Sequence, residues 1–369
     1  MDIFRVGTPA NPTMLTEGVM ISGIDSATWV ERYREPGDFS ITGDVGSGLR
    51  ESLPEGSFIS HVDTEEVMVV ESHEIKDTES GKEIQIVGRS LETILEQRLV
   101  YANTIWSNVD YLAWPGSPAR QAYDLLYSHI IVPPVERAGD IIPYLSVGYD
   151  VGPTYVGAEG RWVKRDLLYN GLNSLLEIDD LGVRSIRPAI SMTNPSPWDT
   201  RIQIHSGVDR SASVSFSHYL GDLEEVTYLW SKIPEKNFAV VFGRWTQVTV
   251  AGDKTGYSRR STLIDASDLD GGYENQPSPT ELADIQAAMT LRGEETLRAS
   301  KPIALVGAKV SKEQTSYRFK KDYDVGDLVG VQGEYNEETV MRVSEYAITM
   351  DKEGSSEYPT LVTLGEASV

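Results

Sequence analysis

The sequence predicts a β-rich α+β protein with two related β-domains and inserted α/β segments. Two observations predict this fold class. Short runs alternate apolar and polar residues, as half-buried strands do, and 32 glycines and 18 prolines separate these runs. In addition, a segment near the start of the chain has a similar counterpart near its end. Helical spacing behind a recognisable N-cap is found at few places, so helices are expected to be few.

Apolar and polar residues alternate most clearly in residues 211–220. There Val214, Phe216, His218 and Leu220 fall on one face of a strand, and serines fall on the other. The same pattern predicts strands within residues 67–70, 82–87, 238–250 and 340–349.

Two predicted helices begin at recognisable N-caps. Ser117 precedes a proline at the first helical position. Ser278 and Glu281 form a capping box, and apolar residues at helical spacing extend that helix to about Leu297. Two further helices are predicted, one after Ser90 and one within residues 166–178.

The repeat is the most informative feature of the sequence. Residues 67–75 align without gaps onto residues 340–348, with a shared Val-Met step. Two unrelated hairpins can look alike at this level, but the order of the turn glycines favours duplication. The flanking matches are 55–59 with 325–329, Gly81 with Gly354, and Gly88 with Gly365 after a short insertion.

A chain of 369 residues is expected to hold about two or three domains. The repeat and the loop-rich segments 190–200 and 265–279 suggest where to divide it. We predict a first β-domain over 1–100, an α/β insert over 101–200, a second β-domain from 201–252 plus 301–369, and an insert with a long loop and the capped helix over 253–300.

Composition excludes several classes of function. The chain has 56 Asp and Glu, 33 Lys and Arg, a formal charge of −23 and no cysteine. Disulfide bonds, cysteine nucleophiles and metal sites ligated by cysteine are therefore impossible. The excess of acidic residues argues against nucleic-acid binding. No apolar run reaches the roughly 20 residues of a membrane span, and the N-terminus shows no secretion signal, so folding in a cytoplasm is expected.

No motif predicts a catalytic, cofactor-binding or metal-binding residue. The five histidines, His61, His73, His129, His205 and His218, show no metal-ligand spacing. Residues 265–271 look faintly like a calcium loop, but Ala266 stands at the first ligand position, so we interpret them as a solvated turn. Residues 43–48 lack the Lys-Ser/Thr of a phosphate loop and are interpreted as a flexible hairpin. We therefore predict no cofactor and no enzymatic activity.

A carbohydrate-binding or glycan-cleaving module remains an alternative. The 56 acidic residues make paired carboxylates unavoidable. Tryptophans could also form sugar-stacking platforms, although a tryptophan in a β-rich protein is more often in the core or at an interface. Those considered are Trp106, Trp114, Trp162, Trp198 and Trp245.

Several segments together, in order and spacing, suggest a family. They are Trp29–Tyr33 with Pro36–Phe39, Val67–Glu71, Gly88–Leu91 with Leu95 and Arg98, Gly207–Ser211 with Val214–Ser217, and Tyr323–Val329. The chain resembles the tail-tip proteins of siphophages, a family similar to the baseplate hub proteins of contractile phage tails.

The resemblance implies a ring-forming homotrimer built from two related β-barrel-like domains per chain. Its implied role is structural: the hub closes or adapts the end of the tail tube, joins the distal tail ring to fibre or spike components, and lets DNA pass. The implied partners are the distal tail protein, the tape measure protein and fibre or spike proteins. The expected location is the virion tail tip, after assembly in the host cytoplasm. Because the chain ends at Val369, no fused lysin or fibre module is expected.

The acidity fits this resemblance. Three chains carry three times −23, or −69, and an acidic lumen would repel DNA phosphates. DNA is therefore expected as a passenger rather than as a ligand.

Overall fold

The computed structural model describes residues 2–7, 19–78, 81–101, 111–114, 117–143, 145–149, 161–164, 166–177, 179–187, 200–233, 235–270, 277–300, 303–311, 316–332, 338–352 and 354–363. The chain divides into two compact units. The first comprises Met1–Trp106, Asp110–Glu225 and Ala308–Leu361, and the second comprises Ser107–Val109, Val226–Gly307 and Val362–Val369. The four-part division expected from the sequence stays a prediction.

In chain order the strands are β1 (Ile3–Gly7), β2 (Val19–Met20), β3 (Ser26–Arg32), β4 (Asp38–Asp44), β5 (Phe58–His61), β6 (Met68–Thr78), β7 (Gly81–Ser90), β8 (Tyr111–Trp114), β9 (Leu145–Tyr149), β10 (Arg161–Lys164), β11 (Gly182–Ile186), β12 (Thr200–His205), β13 (Ser215–Ser217), β14 (Leu223–Ser231), β15 (Phe238–Phe242), β16 (Gln247–Ala251), β17 (Ser261–Asp265), β18 (Ile303–Val310), β19 (Leu328–Gln332), β20 (Glu338–Asp351) and β21 (Gly354–Thr363). The α-helices are α1 (Leu49–Ser52), α2 (Pro118–Leu126), α3 (Leu168–Leu176) and α4 (Pro279–Ala299). Strands predominate and parallel pairs occur beside antiparallel ones, which confirms the predicted β-rich α+β class. The barrel-like and ring-forming properties stay predictions.

The two halves of the predicted repeat have the same strand pairing. Phe58 of β5 pairs with Val69 of β6, and the aligned Leu328 of β19 pairs with Arg342 of β20. The next pair inward joins Ile59 to Met68 in the first half, and its counterpart in the second half is Val329 with Met341. Antiparallel register is a strict property, because a slip of one residue exchanges the faces of the strand.

The turns before these strands match as well. The Gly56 N–H donates to the Val70 carbonyl at 2.7 Å, and the Gly326 N–H donates to the Val343 carbonyl at 2.8 Å. Both glycines have left-handed backbone, with φ of 78° and 97°, a conformation that favours glycine. We name β5–β7 copy one and β19–β21 copy two. Gly365, which the sequence comparison matches with Gly88, lies outside the described residues.

A second layer packs on the sheet of copy one within the first unit. It contains helices α2 and α3 and a small sheet in the order β11-β12-β9. The buried residues Leu125 and Leu172 of the helices share one apolar core with Val67 and Leu91 beside copy one. Each such side chain contributes about 1.5–3 kcal/mol when it is fully buried.

The second unit contains a small mixed sheet and the capped helix. Strand β15 lies between β16 and β17, and Ile285 and Met289 of α4 share a core with Val241 of β15. The predicted capping box is confirmed: the Glu281 N–H donates to Ser278 Oγ at 3.4 Å, and the Ser278 N–H donates to Glu281 Oε2 at 2.8 Å.

Several local predictions need correction. Only Ser215–Ser217 form a strand within residues 211–220, because a 3₁₀ turn follows at once, capped by the Ser217 hydroxyl. Residues 238–250 form two strands, since the Gly243 N–H donates to the Thr246 carbonyl and closes a turn. The helix after Ser90 is a 3₁₀ helix over Leu91–Gln97. The helices predicted after Ser117 and within 166–178 are confirmed as α2 and α3.

Candidate functional site: the junction between the two copies

The first and second halves of strand β20 pair with different strands. Its first residues pair with β19 inside copy two, from Glu338 opposite Gln332 to Arg342 opposite Leu328. Its later residues pair with β3, from Glu345 opposite Arg32 to Met350 opposite Ala27. Strand β3 then pairs with β4, and β4 pairs with β7 of copy one. A strand of 14 residues is long enough to serve both, and it joins the two copies into one continuous sheet.

Apolar side chains fill the junction. Trp29 of β3 lies opposite Ile348 of β20, and Val30 lies opposite Ala347. The Trp29 side chain is completely buried and stacks on Phe39 of β4, with ring centroids 6.1 Å apart. An aromatic side chain packed against a β-branched one is a favourable cross-strand pair.

A chain of charges crosses beside these apolar contacts. Lys320 Nζ lies 3.1 Å from Glu31 Oε2 and 2.8 Å from Asp324 Oδ1. Asp324 in turn accepts a hydrogen bond from Arg184 Nη1 at 3.0 Å. Glu31 is buried, so its carboxylate needs this lysine as a partner.

Charge and burial act in opposite directions on these groups. Burial alone would lower the pKa of Lys320, but Glu31 and Asp324 outweigh it and raise that pKa. Burial alone would raise the pKa of Asp324, whereas Lys320 and Arg184 lower it. Lys320 and Asp324 are therefore held in their charged forms.

Glu66 is the exception in this charged neighbourhood. Its side chain is buried, and its Oε1 atom has no hydrogen-bond partner among the residues that the structure describes. Burial, together with the nearby carboxylates of Glu31 and Glu92, raises the pKa of Glu66 well above its ordinary value. A neutral carboxyl group is the less costly form in such a place.

The histidines singled out in the sequence lie apart and occupy structural positions. Burial lowers the pKa of His61 and, together with Arg184, lowers that of His205 to about 3. His129 accepts a hydrogen bond from the Tyr101 N–H through Nε2, and its Nδ1 lies 2.7 Å from the Leu125 carbonyl oxygen. His73 Nε2 lies 2.7 Å from the Leu53 carbonyl oxygen. Within the described part of the chain, no cluster of three or more His, Asp or Glu residues could hold a metal ion.

The two loops considered for ligand binding form turns that are stabilised by their own aspartate side chains. Asp265 accepts hydrogen bonds from the Ser267 N–H and hydroxyl, as in a solvated turn; residues 271–276 lie outside the described part. The hairpin predicted at residues 43–48 is wrong. Asp44 there caps a 3₁₀ turn by accepting from the Gly46 N–H, and helix α1 follows directly.

Of the five tryptophans considered for sugar stacking, Trp245 is the one whose side chain the structure describes. Trp106 and Trp198 lie outside the described residues, and Trp114 and Trp162 can be placed only as strand positions. Trp245 is half-buried, with the Arg244 guanidinium 4.8 Å from its ring centroid.

An open groove of about 680 Å³ beside the junction is lined by aromatic residues. Phe319 and Tyr346 stack on each other with ring centroids 3.6 Å apart, and Tyr323 and Tyr346 are buried. Tyr323 and Tyr346 therefore belong mainly to the core, and Phe319, which is half-buried, covers one face of the Tyr346 ring. No described helix is both long enough and apolar enough to cross a membrane.

Solved structures with a similar fold are tail proteins. The chain is similar to the tail protein from Neisseria meningitidis MC58, with TM-score 0.57, 12% identity, and coverage of 99% of this chain and 97% of that one. It is similar to the 43 kDa tail protein of prophage MuSo2 from Shewanella oneidensis, with TM-score 0.57, 14% identity, and coverage of 94% and 95%. It is also similar to prophage tail protein gp18 from Listeria monocytogenes EGD-e, with TM-score 0.55, 12% identity, and coverage of 100% and 96%. The fold is thus one found in phage tail proteins.

The family follows from the sequence itself. The model of the Siphovirus ReqiPepy6 Gp37-like protein family matches residues 10–365, and the chain belongs to this family. The predicted resemblance to a siphophage family is therefore confirmed, and the chain has a fold that is found in phage tail proteins. No curated protein matches the sequence.

Sequence reasoning found the copies but missed the junction between them. In the sequence, Trp29 stands out only as part of a family segment, and no pattern pairs Glu31 with Lys320. The sequence signal that could have indicated the junction is the length of the strand predicted at 340–349. This strand extends beyond the residues that pair with β19, so its remaining residues can pair with a second strand.

Proposed function

We propose that the chain is a hub protein of the tail tip, acting as a homotrimer whose six β-copies form a ring of near-sixfold symmetry. The observation that carries this proposal is the junction. Two copies with the same strand register are joined within one chain by β20 and β3, through residues 345–350 and 27–32. A unit that already joins two similar blocks edge to edge forms a closed ring of six blocks if each joint turns by about one sixth of a full rotation.

The proposed ring adapts or closes the end of the tail tube. In this role the chain joins the distal tail ring to fibre or spike components, meets the tape measure protein, and opens for DNA. The charge of −23 per chain supports passage rather than binding of DNA, because phosphate contacts require Lys and Arg. The role is structural: the acidic groups at the junction are engaged in ion pairs or are buried.

Two measurements test this function. Solution mass, by light scattering, is expected to be that of a trimer. Imaging of particles that carry an epitope-tagged chain is expected to place three copies at the tail tip. Density along the tube wall, or a strict monomer that fails to join purified tail components, would contradict the proposal. A clear glycan-array signal would instead favour the receptor-module alternative.

A further inference from the structure

The two copies differ at one sheet edge. Residues 345–350 of β20 pair with β3, and the repeat aligns them with residues 72–77 of β6. Along residues 72–77, β7 is the one strand of the described chain that pairs with β6. The same edge is therefore covered in copy two and open in copy one.

Two isoleucines at aligned positions differ in exposure in the way that this difference in strand pairing predicts. Ile348, which lies opposite Trp29, is 5% exposed, whereas Ile75 is 49% exposed. The neighbouring Ala347 is buried, while its counterpart Glu74 is exposed. Copy one thus carries an apolar side chain at the position that a strand covers in copy two.

The charges on this edge argue for a matched partner. Glu74, Lys76 and Asp77 are exposed, and Lys76 Nζ lies 3.1 Å from Glu74 Oε2. Charged side chains on an edge strand discourage indiscriminate strand pairing. An edge that is both charged and partly apolar accepts a partner of complementary pattern and rejects others.

The repeat indicates which strand that partner is. Extending the repeat without a gap from Gly81 and Gly354 places Gly88 opposite Leu361. Ala308 of β18 pairs with Leu361 of β21, as Phe39 of β4 pairs with Gly88 of β7. Strand β18 therefore takes the place of β4. Strand β14 is the next strand after β18 in the sheet, as β3 is the next strand after β4, so β14 takes the place of β3.

We propose that residues 72–77 of β6 bind strand β14 (Leu223–Ser231) of a second copy of this chain, antiparallel, as β20 binds β3 within one chain. This inference rests on the proposed ring. It identifies the contact between neighbouring chains of that ring, residues 72–77 of one chain with β14 of the next, which we call the seam. The contact is head to tail, since β6 of one chain meets β14 of the next. If the internal junction and this contact each turn by about one sixth of a full rotation, three chains close the ring.

The absence of cysteine from the sequence allows a direct test by cross-linking. Ile75→Cys is combined with single cysteine substitutions from Glu224 to Trp230, and the intact chain is oxidised at its highest attainable concentration. We expect disulfide-linked oligomers up to a trimer, for alternate positions of β14, because side chains alternate between faces along a strand. The control replaces Ile75→Cys by Leu263→Cys, an exposed position on another edge strand, and is expected to give no such pattern.

A second variant measures the strength of the seam. Ile75→Lys is expected to weaken trimer formation about tenfold or more by sedimentation, while Leu263→Lys leaves it unchanged. A trimer that never cross-links through position 75, or that Ile75→Lys does not weaken, overturns the seam and leaves the hub function standing. A chain that stays monomeric at every concentration overturns the seam, and tip imaging then decides the hub function separately.

Discussion

Copy one and copy two share the register of their strands and the left-handed glycine before them, yet their long strands have different surroundings. The second half of β20 pairs with β3, which carries Trp29 and Glu31, the partner of Lys320. The second half of β6 has no such neighbouring strand among the described residues. The same residue type is therefore core in one copy and surface in the other. The comparison shows that the repeat sets the backbone, while the neighbouring strand decides what each side chain contributes to stability.

The largest expected effect is on the covered side of this comparison. Ile348→Ala removes a buried side chain opposite Trp29 and is expected to lower the free energy of unfolding by about 2–5 kcal/mol, measured by urea denaturation. A loss as small as that of an exposed residue would mean that β3 does not cover β20.

Removing the charge at the junction is expected to have the next largest effect. Lys320→Met leaves the buried Glu31 without its cation and is expected to cost about 2 kcal/mol, reduced from a fully buried pair because the lysine is partly exposed. Lys321→Met, at an exposed neighbouring position, is the matched control and is expected to change stability by less than about 0.5 kcal/mol. Equal effects of the two variants would contradict the ion-pair account.

The third prediction concerns pH and a position where the copies differ in sequence, Glu66 in copy one and Thr339 in copy two. Because burial raises the pKa of Glu66, the folded chain binds this proton more tightly than the unfolded chain, and stability falls as pH rises above the unfolded pKa of about 4.3. Glu66→Gln is therefore expected to be more stable than the parent at pH 7. The difference should disappear below about pH 4, where both side chains are neutral.

Thermal unfolding at the two pH values checks this expectation. A Glu66→Gln effect of the same size at pH 4 and pH 7 would show that protonation of this carboxyl group is not its cause.

The smallest expected effect on folding is at the open edge. Ile75→Ala is expected to lower the free energy of unfolding of the dilute chain by about 0.5 kcal/mol, far less than Ile348→Ala, because half of the side chain is already exposed. Urea denaturation at low concentration makes the measurement. A loss as large as that of Ile348→Ala would mean that copy one buries this residue within a single chain.

Sequence reasoning succeeded where the signal is local. The capping box at Ser278 and Glu281 involves residues three apart, and its two hydrogen bonds are present. The shared Val-Met step places Met68 and Met341 opposite Ile59 and Val329 in equivalent pairs. Both patterns carry their own geometry, so they needed no knowledge of the rest of the chain.

Sequence reasoning failed where a distant partner sets the limits. The strand predicted at 211–220 is only three residues long because Ser215–Ser217 is all that pairs with β19. The link between Glu31 and Lys320 joins distant parts of the chain, and no spacing rule reports it. The junction could be found only once the register of β20 against β3 was known.

Strand β20 has a mechanical consequence for the proposed ring. The joint between the two copies of one chain includes both β3 and β20, which are also tied to each other through the covalent backbone. In the proposed ring, the contacts between chains would hold by strand pairing and side-chain contacts alone. Three of the six joints would thus lie within a chain and three between chains, and we expect tension at the tip to separate the joints between chains first.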